Sequence, residues 1–309
     1  MAAPVMRCES VRQVLLGEPL RILRDLLLWR RLGSARMQGL RNFLVGLAVF
    51  AAVAVPVWFL VGALGSKFGL LDWTIGFGLM TFMLGRYVLM GALAIALLSL
   101  GIALFVSPRR GIATALLAAL VPAAGLGWGY YQQVQTAAIP PIHDISTHLF
   151  DPPQFSQEVV DLRAKINRGN DVDFANNQIP DDPRFGPAAG KMAIDLQRAA
   201  YPDIGTLRVE IDPEDAFIAS RDAAEALGWA ITKADQAGGV IEATSTSFWY
   251  GFTDDIVVRV RAPMSSIGSD IDVRSVSRVG VSDLGANAAR IRAFRNQLNS
   301  RVANAATGN

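Results

Sequence analysis

Two runs decide the fold of the C-terminal half: Ile256-Val257-Val258-Arg259-Val260-Arg261 and Asp270-Ile271-Asp272-Val273-Arg274-Ser275-Val276-Ser277-Arg278-Val279, joined across Pro263 to Gly268. Side chains of a strand alternate between two faces, so Ile256, Val258 and Val260 share one face and Val257, Arg259 and Arg261 the other. In the second run Ile271, Val273, Ser275, Ser277 and Val279 oppose Asp270, Asp272, Arg274, Val276 and Arg278. A hairpin register that sets Arg259 against Asp272 and Arg261 against Asp270 stacks opposite charges on one face and leaves an apolar face to be covered.

Upstream, Trp229 to Lys233 and Val240 to Ser247 form another hairpin across Asp235 to Gly239, and Thr206 to Ile211 reads as a strand. Asp212-Pro213 opens a helix that runs to Leu227, with Gly228 just past its end. Ser282-Asp283 caps a last helix whose Leu284, Ala288, Ile291, Phe294, Leu298 and Val302 form an apolar stripe. Shorter helices are expected over Phe155 to Asn167, with Phe155, Val159, Leu162 and Ile166 inward, and over Ala188 to Ala200. Gly169 to Pro187 is a long loop that covers part of the domain. The order β-α-β-β-β-β-α predicts an α+β fold, an antiparallel sheet with helices packed on one face.

The N-terminal half has a different composition. Phe43 to Leu64, Tyr87 to Val106 and Gly111 to Tyr131 are apolar runs of the length that crosses a bilayer, so three transmembrane helices are expected. The piece between the first two, Phe68 to Arg86, is too short to span separately and reads as interfacial, re-entrant or an extension of the second helix. Eight arginines precede Phe43 against Glu9, Glu18 and Asp25, and Arg109-Arg110 lie in the next inside loop. The positive-inside rule then places the N-terminus in the cytoplasm of an inner-membrane, multi-pass protein and the C-terminal domain in the periplasm. This gives a basic leader over residues 1–42, a membrane section over 43–136 and a soluble domain over 137–309. The leader carries a helical middle, Val11 to Leu32, whose arginines fit an anionic membrane surface or a plain topogenic flank.

From Ala137 onward acidic residues outnumber basic ones by 23 to 17, which argues against nucleic acid as a partner. The lone cysteine, Cys8, allows no intrachain disulfide. No nucleophile elbow, phosphate loop, dinucleotide fingerprint or zinc motif is present, so no catalytic residue, metal or cofactor is assigned. Arg274 and Arg278 have fewer evident partners than Arg259 and Arg261. Together with Arg290, Arg292 and Asn287 from the last helix they are the candidate ligand-binding residues, a clamp for a carboxylate, phosphate or headgroup. A weaker acidic or metal site would use His143, Asp144, Asp254 and Asp255, but adjacent strand residues point to opposite faces and the proline-rich setting of His143 and His148 suits a tether. Phe248, Trp249, Tyr250 and Phe252 are read as packing, or, if exposed, as a lipid or partner surface.

Five segments together resemble a bacterial family of uncharacterised membrane-anchored proteins, catalogued as domain of unknown function 1499: Pro141 to Thr147, Asp151 to Phe155, Ala200 to Ile204, Gly251 to Asp255 and Asp272 to Asn287. The resemblance covers roughly Ile139 to Leu298 and implies no specific activity. The expectation is a membrane-anchored binding or scaffold protein with an envelope protein or an anionic lipid or glycan as partner and its oligomeric state open. The alternatives are an envelope hydrolase or other enzyme using Asp254, Asp255 or His143, and a structural subunit of a membrane complex.

Overall fold

A computed structural model describes residues 9–263 and 267–307, with side chains placed from 35 and up to 303. The basic leader's arginines before residue 35 and Cys8 lie outside the described side chains. The described residues form two compact units, one of residues up to Gly62 with Trp73–Tyr131 and one of Ala63–Asp72 with residues from Gln132 onward.

In the first unit, α1 (Glu9–Lys67) is one continuous helix from the leader through the first apolar run. A ten-residue π-helix, Thr74–Met83, follows, then α2 (Gly85–Phe105) and α3 (Ile112–Thr136). Three stretches, Ala35–Lys67, Gly85–Phe105 and Ile112–Thr136, are long and apolar enough to cross a membrane, which marks the chain as membrane-associated. Residues 68–86 form no span of their own: the π-helix leads into α2 through the single helical residue Leu84, as an extension of that helix would, and it also packs against α1. Gly62 permits this, because a Cβ there would lie 2.9 Å from the Gly76 carbonyl oxygen. Trp58 Nε1 donates to the Met80 carbonyl at 3.0 Å. Arg41, buried, donates to the carbonyls of Val106 and Pro108, satisfying backbone acceptors left open at the end of α2.

The second unit is α+β. Its strands are β1 (Asp144–Ser146), β2 (Leu207–Val209), β3 (Ala230–Asp235), β4 (Val240–Thr246), β5 (Thr253–Arg261) and β6 (Ser269–Ser277). All pairings are antiparallel, in the order β3-β4-β5-β6-β1, with β2 on the remaining edge length of β6. The helices are α4 (Gln157–Ala164), α5 (Ala193–Ala200), α6 (Pro213–Ala226) and α7 (Ala286–Thr307). The register of β5 on β6 is the expected one, Arg259 opposite Asp272 and Arg261 opposite Asp270.

Ile241 and Ala243 of β4, Ile256, Val258 and Val260 of β5, and Ile271 and Val273 of β6 are buried in one core with Ala216 and Phe217 of α6 and Ala288, Ile291, Phe294 and Leu298 of α7. Trp229 stacks on Phe294 with ring centroids 5.4 Å apart. Truncating such an aromatic costs about 3–5 kcal/mol, so this face accounts for much of the fold's stability.

Three local expectations change. Asp144–Ser146, read as a tether, is a strand on β6, because the β6 edge offers backbone partners that an isolated proline-flanked segment lacks. The helix expected from Ala188 begins at Ala193, after a 3₁₀ turn at Pro183–Ala188 and a left-handed Gly190 (φ 69°). In α4 the inward side chain is Arg163, 3% exposed, whereas Leu162 is 44% exposed.

Candidate functional site

The polar clusters occupy both faces of the sheet. On the face away from α7, the Arg274 guanidinium is fully buried. It donates to both carboxylate oxygens of Asp144 (3.0 and 2.7 Å) and to the carbonyls of Pro153 and Val172. The rings of Phe155 and Phe174 lie about 5.4 and 5.3 Å from it. The expected projecting clamp arm is therefore a bolt: it ties β1, the Pro153 turn and the Val172 loop to β6. A buried guanidinium needs its donors paired, and these acceptors supply that.

Beside it, Asp255 accepts from Arg163 at 2.6 Å and from Arg278 at 2.7 to 3.1 Å. Asp255 holds α4 down, and its need for a cation explains why Arg163 displaces Leu162 from the inward position. Arg278 keeps 23% side-chain exposure. Asp272, also buried, accepts from Arg259 and Arg261 at 2.9 Å each and from Thr206 at 2.6 Å. Arg261 thus reaches past its register partner Asp270, whose carboxylate accepts instead from Arg208 of β2. Glu242 accepts from the Ser156 N–H at 2.5 Å and its hydroxyl at 2.8 Å, putting negative charge at the N-terminus of α4.

On the α7 face, Asp254 pairs with Arg290 at 2.5 Å. Asn287, fully buried, donates to the His143 carbonyl (2.9 Å) and the Ser277 hydroxyl (3.1 Å) and accepts from Ser275 (2.7 Å). Read from the sequence as a candidate ligand-binding residue, Asn287 is buried, and its side chain joins α7 to β6 and to the residue just before β1. Asp283 accepts from the N–H groups of Gly285 and Asn287, as expected of a cap, although burial pushes its carboxyl up. Arg292, 36% exposed, holds Asp203, whose carboxyl falls to about 2 under that hydrogen bond.

His143 and His148 do not converge. Burial lowers His143 below the usual histidine range, and its Nδ1 is buried without a partner. His148 Nδ1 accepts from the Asp151 N–H. Among the described residues no group of three or more His, Cys, Asp or Glu side chains is placed to hold a metal. Two surface cavities lie elsewhere. One of about 380 Å³ lies between Ala137–Pro141 and α5 and is lined by Phe185 and Leu196. Another, of about 260 Å³, is lined by Asp203, Thr206, Arg208, Arg295 and Asn299. Sequence reading missed Arg163, Asp151, Arg208 and Arg295, because their placement depends on long-range contacts; only their residue type was visible.

No curated protein matches the chain. A family model described as "Protein of unknown function (DUF1499)" matches residues 144–298, which is half of the chain and spans β1 through most of α7. That match and the motifs along β1, β5 and β6 agree: the chain belongs to the DUF1499 family.

Proposed function

We propose that the chain is a multi-pass inner-membrane protein that carries its α+β domain on the periplasmic side and acts there by binding an envelope protein or an anionic lipid or glycan. One observation supports binding over catalysis. The carboxylates and arginines that could form an acid–base pair neutralise one another on opposite sheet faces, and neither described cavity is lined by Asp254, Asp255 or His143.

Of the candidate ligand residues, Arg274 and Asn287 are committed to the interior, and Arg278 and Arg290 are only partly exposed. Arg292 is the most open, and its partner Asp203 walls the cavity that Arg208 and Arg295 also line. An anionic group would compete there with Asp203 and Asp270 for guanidinium donors. Orientation rests on the arginine bias of the leader and of Arg109-Arg110.

The test is crosslinking in intact membranes, with identification of what travels with the domain, beside a reporter fused after Ala138. A reporter active in the periplasm and a discrete adduct on the domain are expected. A reporter active only in the cytoplasm, or adducts confined to the membrane helices, contradicts the reading.

A further inference from the structure

The loop between β4 and β5 presents the most exposed aromatic pair of the sheet unit: Phe248 is 68% and Trp249 52% exposed. Their rings meet edge to face, 4.9 Å apart. The loop is held in shape. Ser247 N–H donates to the Phe252 carbonyl (2.7 Å), its hydroxyl to the Trp249 carbonyl (2.6 Å), and Gly251 N–H to the same carbonyl (2.7 Å). Tyr250 and Gly251 are both left-handed, at φ 60° and 68°, and Tyr250 stacks on Phe252. Holding a non-glycine residue there strains the backbone, and the loop's hydrogen bonds and stacking offset that strain.

The same compact unit includes Ala63–Asp72, the end of α1. Within it, Lys67 Nζ lies 4.3 Å from the Phe248 ring centroid. A Cβ on Gly251 would approach the Lys67 Cα to 3.1 Å, so glycine allows the loop to sit this close. Phe68 and Leu70, next in the chain, are 67% and 80% exposed. Lys67 is the last residue of an apolar, membrane-length stretch. Exposed Trp and Phe beside a lysine at the end of such a stretch are the composition of a bilayer interface.

We propose that the Ser247–Phe252 loop is an interfacial anchor: Phe248 and Trp249, with Phe68 and Leu70, enter the headgroup region of the bilayer that α1 crosses. The proposal rests on the membrane-spanning reading of α1 and is independent of which compartment holds the domain and of what the domain binds. Removing large apolar side chains from water in this way favours contact of the sheet unit with the surface without a protein partner.

The test uses the full chain in a Cys8→Ser background, with single cysteines introduced as Phe248→Cys, Trp249→Cys and, at the far end of β4, Ala237→Cys. Each is spin-labelled and reconstituted in phosphatidylethanolamine–phosphatidylglycerol vesicles. Labels at 248 and 249 are expected to collide with oxygen and to be protected from a water-soluble nickel chelate, with the reverse at 237. A second measurement needs no cysteine: quenching of tryptophan emission by lipids brominated near the headgroup is expected to fall in Trp249→Phe relative to the parent. Nickel access at 248 and 249 equal to that at 237, shielding from both reagents as under a protein partner, or unchanged lipid quenching in Trp249→Phe would each overturn the anchor. The periplasmic binding reading would survive any of these results.

Discussion

Asp254 and Asp255, neighbours in sequence, are held from opposite sides of the sheet: Asp254 by Arg290 of α7, Asp255 by Arg163 of α4 and by Arg278. Strand alternation sends one carboxylate to each face, and each meets an arginine from a different part of the chain. Two adjacent acids that look like a catalytic pair thus lock two layers onto one strand.

Their substitutions should be unequal. Asp255→Asn removes the counter-charge of one fully and one largely buried guanidinium and is expected to cost about 3–5 kcal/mol. Asp254→Asn weakens a single pair nearer the surface, for about 2 kcal/mol. Thermal unfolding of the purified chain in detergent, followed by the sheet signal in circular dichroism, gives the comparison; equal losses would contradict the assignment.

The inversion in α4 gives a second contrast. Arg163→Met leaves Asp255 with one cation fewer in a dry setting and is expected to destabilise by about 3 kcal/mol or more. Leu162→Gln, on an exposed position, should stay within about 0.5 kcal/mol. An amphipathic reading of the helix expects the opposite order, so the same unfolding measurement decides between them.

Acidification should loosen the domain through His143. Burial lowers its folded pKa, so in the window between that value and the unfolded value of about 6.5 the unfolded chain binds more protons. Stability is then full above about 6.5 and is lost as pH falls through and below it. Asp283 shifts upward and acts in the opposite sense, its contribution growing on acidification. Comparing unfolding midpoints of the parent and His143→Gln from pH 8 to 5.5 isolates the histidine: the parent is expected to lose more.

Gly239 sits at φ 65°, where an added Cβ would collide with the Val260 carbonyl oxygen. Gly239→Ala is expected to cost about 2–3 kcal/mol, from left-handed strain plus the collision. Gly228, at φ 74° with open space around it, carries only the strain, so Gly228→Ala should cost about 1 kcal/mol. Denaturant midpoints of the two variants check the order.

Alternation in β5 and β6 places their side chains on the two faces and keeps Ile256, Val258 and Val260 in the core, and the short Pro263–Gly268 connection then sets Arg259 opposite Asp272. The three apolar stretches were equally legible, since length and composition alone define them. Other features depend on distant partners. Asp144–Ser146 pairs only because β6 has a free edge, and nothing within three residues beside two prolines announces that. Arg163 is inward because Asp255 is buried 92 positions later, and a stripe counted in apolar residues selects Leu162 instead. Arg274 is buried for the same reason: its acceptors, Asp144, Pro153 and Val172, lie more than 100 positions upstream. Exposure of Phe248 and Trp249, left open by the sequence, follows from the tight turn at Tyr250 and Gly251.

These charges hold the fold together and leave no free clamp at Arg274. The most direct test is a double-mutant cycle on the Arg274–Asp144 pair, using Arg274→Met, Asp144→Asn and both together, read by unfolding of the full chain in detergent. Each single substitution is expected to cost about 3–5 kcal/mol, and the double to cost at least about 2 kcal/mol less than their sum. Single variants that unfold like the parent, with a coupling within about 0.5 kcal/mol of zero, would contradict it.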